Sequence, residues 1–374
     1  MTKIIPNIPR KDIVDNQNTF PYWGFISKRD VQESTGKLLM LDIDFGRYCS
    51  LACSGCFRRD NVVDHIEEGD LTYDELIAVI DDAIPLGLES IKICGVGEPT
   101  ENTRFLQFIR DMTERDVGVA IFTKGQVLGD DEATARFNKK YGITSARKLC
   151  ETLYELKTSV MLGFQSFYTE VQDAMVGKQG HTLIRNKALE NLVKTGFNNS
   201  TPTRLALCNA PFTRENYGEV FDLYVFARQR NIYPINAVLM TAGEQVDGTY
   251  LQEYDMADQE KIDLWTEIYS WNIEHRLQTL EQIREEGISV LPGAHPCNQL
   301  GSGLSLTAKG NVVGCTGLTM VQGNVRTKSI AEIWEQSKTR REMAGKFNCH
   351  CPPKDGITIP HRLYSEVLQN LEQR

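Results

Sequence analysis

Between residues 37 and 240 six short apolar runs of β type alternate with amphipathic segments of helical period. The runs are KLLMLDIDF (Lys37 to Phe45), SIKICGVG (Ser90 to Gly97), GVAIFTKG (Gly118 to Gly125), TSVMLGFQS (Thr158 to Ser166), TRLALCNA (Thr203 to Ala210) and YPINAVLM (Tyr233 to Met240). Such alternation marks βαβ units and a parallel sheet, and six units point to an open partial barrel. Helix starts are readable between the runs: Thr72 and Glu75 form a capping box ahead of Leu76, Ile77, Val79 and Ile80. Residues 241–257 are polar and glycine-containing, a linker or loop before a helical stretch from Asp258 to Glu286. Leu304 to Cys315 then has the pattern of a β-hairpin turning at Lys309-Gly310-Asn311, and Ser329 to Ala344 returns to helix. The expected division is therefore an N-terminal extension (1–36), a barrel (37–240), a linker and helical segment (241–290) and a small C-terminal domain (291–374).

The chain has 374 residues, 41% hydrophobic and 24% charged, ordinary values for a globular protein that rule out a disordered or fibrous chain. Fifty acidic against 41 basic residues leave a net charge of -9, and no Lys/Arg block forms a phosphate-tracking stripe, which argues against nucleic acid as a partner. The N-terminus lacks the apolar stretch of a signal peptide, and the longest apolar runs are too short to span a bilayer; the expectation is a cytoplasmic protein with no membrane partner. Ten cysteines in a reducing compartment read as metal ligands or redox groups, not disulfides.

Cys49, Cys53 and Cys56 follow directly on the first run, in a loop of small residues able to wrap a compact object. Three thiolates on a four-iron cubane leave one iron open to a substrate or cofactor. The alternative is a structural zinc completed by a distant His such as His65. This CxxxCxxC pattern after the first strand of a partial (β/α)6 barrel resembles the defining motif of the radical S-adenosylmethionine (SAM) superfamily, and the likeness extends over most of the chain.

The resemblance implies an α/β fold, a partial (β/α)6 TIM-type barrel with a small C-terminal α+β twitch/SPASM-like domain. Gly95-Val96-Gly97-Glu98-Pro99 is similar to the family segment that holds the amino group of SAM; its glycines permit close backbone approach, and Glu98 accepts from an ammonium. Gln165 and Ser166 stand where the family faces the SAM ribose or carboxylate. Asn209, with Arg214 and Asn216, resembles the fifth unit, or serves only in helix capping and loops. Two positions depart from the family pattern. Gly55 stands where an aromatic residue often precedes the third cysteine, so Phe57 takes over packing on adenine. Thr123-Lys124-Gly125 replaces a usual Thr-Asn-Gly, so that Lys124 either contacts an anionic group of SAM or substrate or points to solvent.

Cys297, Cys315, Cys349 and Cys351 provide four thiolates, enough to saturate a second iron-sulfur cluster or a zinc. LSLTAKGNVVGC followed by GNVRTKSIAEIW resembles the twitch or SPASM domains, which implies an auxiliary [4Fe-4S] cluster. The tight Cys349-His350-Cys351 spacing leaves His350 or an outside residue as an alternative ligand. Cys150 lies in phase with the apolar face of a helix and Cys94 within a strand, so both read as core. Cys208 lies near the C-terminal end of a barrel strand, the rim where such barrels place their chemistry, and is either a hydrogen-atom donor or a buried structural thiol.

The cofactors implied are two [4Fe-4S] clusters and SAM, with flavodoxin or ferredoxin as electron donor. One electron would cleave SAM to methionine and a 5'-deoxyadenosyl radical, which takes hydrogen from an unactivated C–H bond inside a solvent-excluding barrel. Peptide-modifying members of the family usually combine an N-terminal recognition domain with a longer cysteine-rich C-terminus, whereas 36 residues before the first strand and four C-terminal cysteines resemble the twitch enzymes acting on sugars and aminocyclitols; the resemblance implies a polar small molecule (a sugar, aminocyclitol or nucleoside) over a peptide. Dehydrogenation is favoured over epimerisation or dehydration. A peptide-modifying maturase and a non-catalytic iron-sulfur or zinc protein are the competing readings.

Overall fold

The computed structural model describes residues 1–14, 35–58, 62, 68–240, 248–294, 296–343 and 351–374. The six expected runs form strands: β1 (Met40–Ile43), β2 (Ser90–Ile93), β3 (Gly118–Thr123), β4 (Ser159–Gly163), β5 (Leu205–Asn209) and β6 (Tyr233–Asn236). All pair in parallel, each with its sequence neighbours. Each is shorter than its apolar run, because the last residues of every run leave the ladder to form the loops above the sheet. The hairpin follows as β7 (Gly303–Leu306) and β8 (Asn311–Val313), with Gly310 in its turn at φ 80°, and β9 (Val321–Asn324) completes it.

The C-terminal hairpin does not stand apart. β7 pairs in parallel with β1, Met40 opposite Gly303, so one nine-stranded sheet runs β6-β5-β4-β3-β2-β1-β7-β8-β9. Its ends do not meet, and the molecule is the open partial barrel that the alternation implied, extended through residues assigned to the C-terminal segment. Helix Ile330–Gln336 ties this extension down: Trp334 Nε1 donates to the Gly36 carbonyl at 3.1 Å.

Alternation along each strand divides the sheet into two faces. Leu41, Ile43, Ile91, Ile93, Val119, Ile121, Val160, Leu162, Leu205 and Leu207 join the large core beneath the helices. The inner face carries the smaller set Ala120, Ala206, Cys208, Tyr233 and Ile235, with Phe122, Met161 and Cys297 against it. Ala120, Ala206 and Cys208 keep part of this face small toward the C-terminal mouth, where parallel barrels hold their ligands.

The Thr72–Glu75 capping box is present at the start of helix Tyr73–Ala83. The single helix expected over 258–286 is two, Asp258–Glu274 and Leu280–Glu286. Arg276 turns the chain at φ 59°, and Thr279 caps the second helix by accepting from Gln282 N at 3.0 Å. Residues 241–247 of the expected linker lie outside the described residues, and Gly248–Tyr254 is helical. Helix Asp258–Glu274 packs with the C-terminal helix Leu363–Glu372 around Trp265, Ile268, Tyr269, Leu363 and Val367. No helix of the described residues is long and apolar enough to cross a membrane.

Candidate functional site

The loop that leaves β1 is fixed by Asp44. Its Oδ1 accepts from Val96 N at 2.9 Å, and its Oδ2 accepts from Ala308 N at 3.1 Å and pairs with Arg58 at 2.8 Å. One buried carboxylate thus joins the cysteine loop, the glycine-rich loop after β2 and the hairpin turn. A Cβ on Gly95 would lie 1.8 Å from Asp44 Oδ1; one on Gly97, whose φ is 83°, would lie 2.8 Å from Tyr48 O. The close approach these glycines permit is to the segment leading into Cys49, and Glu98 N donates to Tyr48 O at 2.8 Å.

Cys49, Cys53 and Cys56 are partly exposed. Burial, reinforced by the Glu98 charge, pushes the Cys49 thiol up to about 12. A thiol so placed is protonated at neutral pH unless a metal takes the proton's place. The loop is pinned by Ala52 N and Ser54 N, which donate to Val176 O and Met175 O, each at 3.2 Å. Beneath it Ser50 N and Oγ donate to Glu101 at 2.8 and 2.6 Å, Gln126 Nε2 donates to both Ser50 Oγ and Glu101 Oε1, and Lys178 donates to Gln126. Sequence reading gave none of these four a role, although Gln126 immediately follows a segment that it singled out and Glu101 lies two residues after another. Phe57 is half-buried. A Cβ on Gly55 would meet Pro211 Cγ at 2.8 Å and Tyr250 Oη at 3.3 Å, so an aromatic side chain has no space there.

Glu98 is 4% exposed. Its Oε1 accepts from Thr100 N, Thr100 Oγ1 and Thr123 Oγ1, and its Oε2 from Lys124 N at 2.9 Å. Oε1 is saturated, whereas Oε2 retains one acceptor position. The Lys124 side chain crosses the end of β4: a Cβ on Gly163 would lie 2.7 Å from its Cδ and 3.0 Å from its Nζ. His181 lies 3.1 Å from the Lys124 carbonyl through Nε2, and burial pushes its imidazole down to about 3, so Nε2 is the donor of a neutral ring.

The side chains of Gln165 and Ser166 are engaged within the protein. Gln165 Oε1 accepts from Gln172 Nε2 at 3.1 Å, and the fully buried Ser166 donates to Glu219. Asn216 Nδ2 bridges Gln165 O and Asn209 Oδ1 at 2.8 and 3.0 Å, joining the ends of β4 and β5, while Arg214 reaches Gln252 O at 3.2 Å. Asn209 Nδ2 is buried without a hydrogen-bond partner, as is Nδ2 of Asn236, its register partner on β6 and a residue sequence reading passed over. Unpaired buried amides call for a ligand or water. Cys208, 4% exposed on the inner face, has its thiol pushed up to about 12 by burial against the opposing charge of Lys124. Cys150 is wholly buried in the helix Ala146–Glu155, as its phase implied.

In the C-terminal region Cys297, Cys315 and Cys351 come together. Burial raises each thiol, that of Cys315 to about 12 and that of Cys351 to about 11, and Cys297 adds to both shifts. Gln299 N donates to Cys297 Sγ at 3.5 Å and Gly317 N to Cys315 Sγ at 3.2 Å, contacts that suit a sulfur carrying negative charge. Cys349, His350 and His65 lie outside the described residues. Among the described residues no group of three or more His, Cys, Asp or Glu side chains is placed to hold a metal ion.

The Radical SAM superfamily model matches residues 43–211, and that of SPASM, an iron-sulfur cluster-binding domain, matches residues 297–353. A tungsten-containing aldehyde ferredoxin oxidoreductase cofactor-modifying protein of Pyrococcus furiosus is 36% identical over 84 residues, which span 22% of this chain and only 23% of that protein. The AdoMet-dependent heme synthase of Methanosarcina barkeri is 22% identical over 314 residues, 79% of this chain and 81% of that one. Among solved structures, native anSMEcpe with bound AdoMet and Cp18Cys peptide superposes with a TM-score of 0.60 at 14% identity, covering 90% of this chain and 96% of that one, a likeness of fold.

Proposed function

The chain carries a radical SAM domain and a C-terminal SPASM iron-sulfur domain, and from that premise we propose that it dehydrogenates a polar small molecule held at the inner mouth of the sheet. Cys49, Cys53 and Cys56 would hold the first cluster, and Cys297, Cys315 and Cys351 with Cys349 the second. When bound, the first cluster supplies an electron that cleaves SAM to a hydrogen-abstracting radical, and the second supplies an electron acceptor. Glu98 Oε2 and Asn209 Nδ2 offer the SAM amino acid an acceptor and a donor. Gly95 and Gly97 set the loop that presents Glu98, Phe57 packs on the adenine, and Gln165 and Ser166 position the strand ends through their internal bonds. Lys124, lying across β4, places a cation beside the substrate. A flavodoxin or ferredoxin is the electron donor.

The observation that carries this reading is the packing of Cys297 against the inner-face cluster that contains Cys208. A ligand of the second cluster thus borders the space where the substrate sits, the place for an electron acceptor. The names of both curated relatives concern small-molecule cofactors, which sides with a non-peptide substrate. Cys208 keeps its proton at neutral pH and is not consumed in a dehydrogenation. The test is anaerobic turnover with SAM and dithionite across sugars, aminocyclitols and nucleosides. Cys208→Ala should leave product formation largely intact and Cys315→Ala should abolish it. Solvent deuterium at an inverted carbon, dependent on Cys208, would instead establish an epimerase.

A further inference from the structure

Lys92 lies on β2, opposite Asp42 in the β1 register. Its side chain is 15% exposed and that of Asp42 only 6%, and Lys92 Nζ is 3.2 Å from Asp42 Oδ1. A buried ion pair of this kind costs desolvation on both sides, and its presence calls for a reason beyond stability. The same ammonium donates to Gln299 Oε1 at 3.2 Å. Gln299 is held in place by a bond from its Nε2 to Leu304 O at 3.2 Å, and its backbone N–H donates to Cys297 Sγ at 3.5 Å. Asp42, Lys92 and Gln299 therefore form a continuous link from two barrel strands to the first C-terminal cysteine, with the Lys92 ammonium between Asp42 and the residue bonded to the sulfur.

We propose that Lys92, set by Asp42 and Gln299, is a positioning residue for the second cluster: it fixes Cys297 and raises the reduction potential of the cluster that Cys297 ligates. The inference rests on the reading of Cys297 as a ligand. A reduced cluster carries one more negative charge than an oxidised one, so a nearby buried cation and an N–H bonded to a ligating sulfur favour the reduced form. Asp42 acts in the opposite sense, which gives the link a signature of sign.

The experiment uses the full chain, reconstituted with iron and sulfide in a Cys49→Ala/Cys53→Ala/Cys56→Ala background, with the midpoint potential of the remaining cluster followed by electron paramagnetic resonance. Lys92→Met should lower the midpoint by at least a tenfold change in the reduction equilibrium, 59 mV for one electron. Asp42→Asn should raise it, and the double variant Asp42→Asn/Lys92→Met, which leaves no buried charge unpaired, should return near the parent value. A shift of both single variants in the same direction, or of neither, overturns the proposal. Cys297→Ala that retains the second cluster and its potential would sink the ligand reading itself. A full complement of iron with unmoved midpoints in the charge variants would sink only the role of Lys92.

Discussion

Glu98 serves two loops with one carboxylate: three donors from Thr100 and Thr123 fill Oε1, and Lys124 N takes half of Oε2. Glu98→Gln turns one of these oxygens into a donor that faces donors. The expected loss is about 1–3 kcal/mol of stability, read from the urea midpoint. SAM affinity, read by equilibrium dialysis, should fall as well, while iron content stays unchanged. Unchanged SAM binding with a lowered midpoint would leave Glu98 as a tie between loops only. At this scale the cysteines and Glu98 were legible in the sequence, because spacing in one loop and position after a strand are local properties. Asp44, Glu101 and Gln126 were not. Their partners lie in other loops, and an acidic residue in a loop has no pattern until the loops meet. The inward course of Lys124 belongs with them, since it depends on the missing side chain of Gly163, a full βα unit away.

The loops above the sheet behave as one interlocked element, and Gly95 is where they are tightest. Gly95→Ala brings a methyl group to 1.8 Å from Asp44 Oδ1 and 2.9 Å from the Asp44 backbone, so Asp44 must shift away from Val96, Arg58 and Ala308. We expect a cost of about 1–3 kcal/mol from overpacking. Gly218→Ala, with nothing within 4 Å of the new methyl, should stay within about 0.5 kcal/mol of the parent. Denaturant titration of the two variants makes the comparison, and equal costs would mean that Gly95 is not a contact point. The strands and the Thr72 cap were legible at this scale, because period and capping chemistry act over a few residues. The break between Asp258–Glu274 and Leu280–Glu286 was equally local, and Thr279 with Gln282 three residues on was a readable start signal. The pairing of β7 with β1 was not readable: the register partners Met40 and Gly303 lie far apart in the chain, and no local pattern selects the sheet edge on which a hairpin docks.

For the whole molecule, the two proposed thiolate sites predict about eight iron atoms per chain, from two four-iron clusters. Cys49→Ala/Cys53→Ala/Cys56→Ala should remove half of the iron and all SAM cleavage, leaving the second cluster visible by its own spectrum. Iron assay and high-performance chromatography of 5'-deoxyadenosine measure both, and zinc in place of iron after anaerobic expression would overturn the cluster reading. The position of β1 at the junction between the six-stranded part and the hairpin bears on how the protein is made. Ribosomes release a chain from its N-terminal end, at about 5–20 residues per second, so β2 is available to β1 long before β7 is. Until Ala308 has emerged, Asp44 lacks one of its three ties, the one that joins the cysteine loop to the hairpin turn. A nascent chain stalled before the hairpin should therefore hold the cysteine loop less firmly, and its partly exposed thiols should react faster with alkylating reagents than those of the finished apoprotein.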